Sequence, residues 1–174
     1  MTAHRPESAF WRFSLRFYAR PNIASACLEL QDNAGADVNI LLFLLFMAEQ
    51  KRLLSADEVT RLDSAVAQWR ETVIRPLRAL RRALKPGIEF VPGPISEGFR
   101  AQIKRLELES EQIEQHRLEE FAGPGIGSAA ESRMQAAEVN LSNYTATLSS
   151  VPADAVATLL RSFTGFVWIE PPTP

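Results

Sequence analysis

With 174 residues, 46% of them apolar and 23% charged, the chain has the size of one domain and enough apolar side chains to bury a core, which argues against a disordered polypeptide. Nineteen basic against 21 acidic residues leave a net charge of −2, so no overall positive field favours nucleic acid. A lone cysteine, Cys27, rules out an internal disulfide and a multi-thiolate zinc site, and the opening MTAHRPESAF lacks the apolar stretch of a secretory signal. The expectation is a reduced, cytoplasmic protein.

Ser8 is placed to cap a first helix whose Phe10, Phe13, Leu15, Phe17 and Tyr18 give it a broad apolar face. It ends near Arg20, because Pro21 disfavours a helical residue before it. Pro21 suits the first turn of a second helix carrying Ile23, Ala24, Cys27, Leu28 and Leu30, closed by Asn33 and Gly35. Next comes the clearest signal in the chain, nine consecutive apolar residues from Ile40 to Ala48. Asp37 and Asn39 on one side and Glu49, Gln50 and Lys51 on the other make this run too short for a bilayer, which needs about 20 such residues. A helix apolar all round has neighbours on most sides, so residues 37–51 are expected to form the central helix.

Ser55 and Glu58 then form a capping-box pattern opening a helix through Val59, Leu62, Val66 and Trp69. Val73, Leu77, Leu80 and Leu84 continue its period, with a kink or break expected at Pro76. Turn-rich stretches at 85–96 and 122–128 bound a mostly polar helix marked by Phe99, Ile103, Leu106 and Ile113. An alanine-rich helix follows from about Ser128 to Leu148, and a last one from Ala153 to about Phe166. Residues 1–7 and 169–174 read as flexible tails. No convincing alternation of period two occurs, so the fold class is all-α: a single-domain bundle of six or seven helices around residues 37–51.

The N-terminal motifs resemble those of an uncharacterised bacterial family, DUF2390. They are Trp11, Phe13 and Tyr18; then Ala26, Cys27, Leu28, Leu30, Gln31 and Asp32; then Gly35, Asp37, Val38, Asn39, Leu41, Leu42 and Phe43. The likeness is strong over about 10–51 and loose over 55–85. It implies a family name and no activity, substrate or catalytic residue.

Three candidate sites follow from the residues themselves. Gln31, Asp32, Asp37 and Asn39 bring two carboxylates and two amides into one elbow, suited to a cation, an amine or a partner's backbone amides. The same residues serve as helix caps, and their spacing is not that of a calcium loop. Arg75, Arg78, Arg82 and Lys85, with Arg70 and Arg81 nearby, form a basic stripe for a protein partner, an anionic surface or a phosphate backbone. Its alternative is a solvated face, or pairing with the helix bearing Glu107, Glu109, Glu111, Glu114, Glu119 and Glu120. Trp11, Tyr18 and Phe43, in an aromatic opening, suit either the core or a pocket for an apolar ligand.

Catalytic templates are weak. His4 falls in a tail and His116 on a polar helix, Cys27 lies on an apolar face, and GPGIGS lacks the ending and preceding strand of a phosphate loop. No cofactor or metal is expected, and an enzyme ranks third among the readings. First comes a non-enzymatic adaptor or regulatory protein binding an unidentified protein partner through a charged helical surface. Its alternative is a bundle holding a lipid or isoprenoid in its interior. Self-association is a further option, nucleic acid is disfavoured, and no transmembrane segment is read.

Overall fold

The computed structural model describes residues 8–169; the expected tails, with His4, lie outside them apart from Ile169. The fold is all-α, organised around α3 (Val38–Glu49), in which every residue from Asn39 to Ala48 is buried. Being apolar on all sides, α3 is stable only if other helices cover all of it. α7 (Arg133–Thr145) runs along one flank, with α1 (Ala9–Tyr18), α2 (Ile23–Ala34) and α6 (Gly93–Ala122) covering the others. α8 (Ala153–Thr164) packs on α2 and α7.

Aromatic rings do much of this packing. On α1 the spacing of Phe10, Phe13 and Phe17 sets three rings on one face. Phe10 meets Phe43 edge-on at 5.1 Å and Phe13 meets Phe46 at 5.4 Å. Phe166 and Trp168, just beyond α8, close on Phe13 at 5.4 and 5.6 Å. The C-terminal helices therefore share the core of the N-terminal ones.

The helix starts follow their caps. Ser8 Oγ accepts from the Trp11 amide, Asp37 Oδ1 from that of Asn39, and Ser132 Oγ from that of Gln135. Ser55 and Glu58 close the reciprocal capping box that opens α4 (Ala56–Trp69). α2 begins later than expected: Asn22, at φ 66°, is its N-cap and leaves Pro21 in the turn. A tight connection there needs a left-handed residue, which asparagine tolerates. α3 ends earlier than expected, because Lys51, at φ 54°, turns the chain out of the helix.

Pro76 neither breaks nor ends its helix. The backbone widens into a π segment over Arg70–Ile74, in which the Arg75 amide donates to the Arg70 carbonyl five residues back. That wider register carries the chain past the donor Pro76 lacks and into α5 (Arg75–Ala83). The loop expected at 85–96 ends sooner, because Gly93 and Pro94 occupy the first turn of α6, which then runs 30 residues. The alanine-rich helix starts at Arg133 rather than near Ser128. Instead Ser128–Ala129 (β2) pairs antiparallel with Arg52–Leu53 (β1). Two residues per strand are too few for an alternating pattern to show in the sequence. Gly127, at φ 72°, enables the approach, since a Cβ there would lie 2.9 Å from the Leu53 carbonyl oxygen. Asn140 locks the pair to α3: its Oδ1 accepts from the Leu54 amide at 2.7 Å, and its Nδ2 donates to the Leu44 and Arg52 carbonyls.

Among the described residues no helix is long and apolar enough to cross a membrane.

Candidate functional site

Opposite its phenylalanine face, α1 presents Trp11, Ser14, Leu15 and Tyr18, spaced so that they share one side of the helix. α2 adds Leu28 and Gln31, α3 adds Val38, Asn39 and Leu42, and α5 adds Arg78, Arg81 and Arg82. α6 closes the far wall with Lys104, Glu107, Leu108, Glu111 and Gln115. Together they bound a cleft of about 440 Å³, within the usual range for small-molecule sites. Its walls keep large apolar side chains open to solvent: Leu15 is 47%, Leu28 42% and Leu108 51% exposed.

The floor of the cleft is polar and buried. Gln115 Nε2 donates to Asn39 Oδ1 at 2.8 Å, and Asn39 Nδ2 donates to Glu114 Oε2 at 3.3 Å. Ser14 Oγ lies 2.9 Å from Gln115 Oε1 and 2.8 Å from the Trp11 carbonyl, so its single proton serves one or the other.

Behind this floor Glu114 is 1% exposed, and its Oε1 receives no donor. Desolvation, reinforced by the neighbouring Asp37 carboxylate, to which a protonated Glu114 donates, pushes its pKa up to about 10. Glu114 is therefore neutral at physiological pH. Asp37 keeps its charge partner: Arg70 Nη1 reaches Asp37 Oδ2 at 2.9 Å and Asp63 Oδ1 at 2.8 Å. Burial, and then the Asp37 charge, also raise the pKa of Tyr144, whose hydroxyl accepts from the Asp37 amide at 2.8 Å.

The elbow and the basic stripe, far apart in sequence, meet in this seam. Arg82 Nη2 binds both Asp32 oxygens, at 3.0 and 3.3 Å. Arg78 bridges Glu107 at 3.1 Å and Glu111 at 2.7 Å, and Arg81 binds Glu107 through Nε and Nη2. Burial opposes ionisation of Glu107, but the hydrogen bonds and charges of Arg81 and Arg78 outweigh it and hold its carboxyl below the usual range. At Glu111 desolvation prevails and the pKa rises. Arg75 pairs with Glu71 one turn away at 2.9 Å, and Lys85 is exposed without an ion pair among the described residues. Gln31 lies between this cleft and a smaller depression of about 290 Å³ over Asp37 and Arg70.

Of the aromatic candidates, Trp11 and Tyr18 line the cleft, whereas Phe43 is sealed in the core against Phe10 and Phe46. Cys27 is buried and its thiol is pushed up to about 12 by desolvation, far from thiolate chemistry. His116 faces Glu120 on its own helix at 3.0 Å. No group of three or more histidine, cysteine or carboxylate side chains among the described residues converges as a metal site. Sequence reasoning missed Ser14, Leu28, Lys104, Leu108 and Gln115 as a set. The only trace of them was that α1 is apolar on two faces, one more than a core requires.

These features describe an all-α domain with a polar-floored cleft beside its buried central helix. Residues 9–118 match the family model described as a protein of unknown function, DUF2390, and the chain belongs to that family. The matched span contains every residue lining the cleft. No curated protein and no solved structure matches the chain.

Proposed function

We propose that the protein binds a small amphipathic molecule in the cleft between α1, α2 and α6. One observation carries this reading: three leucines from three helices stay half-exposed around a single concavity whose floor is already hydrogen-bonded. Leaving such a surface bare forgoes about 25 cal/mol for each Å² that a ligand would cover. The ligand's body would lie on Trp11, Leu15, Tyr18, Leu28 and Leu108, not in the interior around Phe43. The reading includes a reducing, cytoplasmic setting, supported by the lone, buried Cys27.

Native mass spectrometry of gently purified protein tests it. The expected result is a discrete added mass of a few hundred daltons, absent from Leu15→Arg and Leu108→Arg, whose solvent-facing side chains can be replaced without opening the core. A bare mass, together with no thermal shift from any amphiphile supplied, overturns the reading.

The second reading is a non-enzymatic adaptor or regulatory protein that binds a protein partner. It is favoured by the tip of the α5–α6 hairpin, where Phe90 is 86% exposed beside exposed Ile95 and Phe99; self-association is the simplest form of it. Charge reversal at Arg78 is a poor probe of this surface, because its guanidinium neutralises the buried Glu107. Phe90→Ser with Lys85→Glu is the cleaner variant, and unchanged partner capture and oligomeric state would exclude the tip.

A further inference from the structure

Resting on the cleft reading, we infer that the ligand is an anionic amphiphile, whose apolar body follows Trp11, Leu15 and Leu28 and whose acidic head, a carboxylate or a phosphate, is held by Arg81, Arg82 and Lys104. Although the whole chain is net negative, four cationic side chains line the cleft, Arg78, Arg81, Arg82 and Lys104, against two carboxylates, Glu107 and Glu111. Arg78 is shared between Glu107 and Glu111, and Arg81 also rests on Glu107, whereas Lys104 has no carboxylate partner among the described residues. Burial raises the pKa of Glu111, and its carboxyl is already taken up by Arg78 at 2.7 Å. Glu114, protonated behind the floor, adds no repulsion toward an anion.

Donors remain for the head group. An arginine carries five N–H donors in a fork that fits carboxylate and phosphate oxygens. Arg81 uses Nε and Nη2 on Glu107, and Arg82 uses only Nη2, on Asp32. Lys104 makes no ion pair among the described residues and stands one helical turn before Leu108 on the same wall. The floor offers no rival anchor for a charge, because Asn39 and Gln115 are engaged with each other, with Glu114 and with Ser14. A cationic amphiphile would meet like charge, and a neutral one would leave these donors unused.

The test is isothermal titration of the full chain with four probes of one chain length, all below their micellar concentrations: octanoate, octyl phosphate, octanol and octyltrimethylammonium. Binding of at least one anion, tenfold or more tighter than octanol, with no binding of the ammonium probe, is expected. Whichever anion binds tighter identifies the head. Lys104→Glu, on an exposed position, is expected to weaken the anion tenfold or more while leaving octanol binding and the circular dichroism spectrum unchanged; Leu15→Arg is expected to abolish all binding. Octanol or the ammonium probe binding as well as the anions, blocked by Leu15→Arg, would overturn the anion inference and leave the cleft reading standing. No binding of any probe, or binding indifferent to Leu15→Arg, would overturn both.

Discussion

The two ends of α3 are buried to a similar degree by opposite chemistry. From Ile40 to Ala48 the helix is enclosed by rings and aliphatic side chains, and packing there is non-directional and tolerant of small shifts. At Asp37 and Asn39 the same helix enters a polar seam in which Arg70, Glu114, Gln115 and Tyr144 must all sit within hydrogen-bonding reach. The first kind of burial drives folding; the second costs desolvation and is worthwhile only if every group finds a partner. The cleft opens at the second end, over Asn39. Helix packing that is tight along most of α3 thus leaves a polar-floored concavity where apolar complementarity stops.

Substitutions at the two ends can break or sharpen this contrast. Arg70→Met strands the Asp37 carboxylate beside Glu114 in a buried seam. It is expected to lower the urea-measured stability by about 3–5 kcal/mol, as much as Phe43→Ala does at the apolar end by opening a cavity. If Arg70→Met were near neutral, the seam would not depend on that ion pair and the contrast would fail.

Asn140→Ala should come next. It removes the side chain that ties the Leu44 carbonyl of α3 to β1, leaving two buried backbone groups and one partly buried one without this partner, and is expected to cost about 2–3 kcal/mol in chemical denaturation.

Glu114 separates the two ends by pH. In the unfolded chain it ionises near 4.5, and in the folded protein near 10. Between these values the folded state holds one extra proton. The contribution is therefore fully present below pH 4.5 and declines by up to about 1.4 kcal/mol per pH unit as pH rises toward 10. Glu114→Gln, which is neutral throughout, is expected to flatten this decline and to be the more stable protein at pH 8, as measured by thermal melts across the range. An unchanged slope would show that Glu114 is not the protonated group. The smallest effect is expected at Arg75→Ala, which removes an exposed pair within one helix and should change stability by no more than about 0.5 kcal/mol.

Much of the fold was legible because its signals are local. Ser8, Asp37 and the Ser55–Glu58 box each satisfy orphan amides within three residues, so their helix starts follow from the chain alone. Nine apolar residues in a row require enclosure wherever they lie. The strand pair of Arg52–Leu53 with Ser128–Ala129 was illegible because it rests on one glycine and one distant asparagine. The passage through Pro76 was illegible because a π segment carries no pattern of its own.

By itself, then, the sequence determined the family, the all-α class, the caps and the central helix, since periodicity and capping act over a few residues. Only the tertiary structure decided that Arg82 would find Asp32, that Arg78 and Arg81 would share Glu107, that Glu114 would lie buried against Asp37, and that Trp11 and Tyr18 would line a cleft while Phe43 was sealed in the core. Those outcomes depend on the rotation and offset of helices distant in sequence. Many helix faces carry compatible charges, and the packing of α3 selects the single arrangement in which they meet.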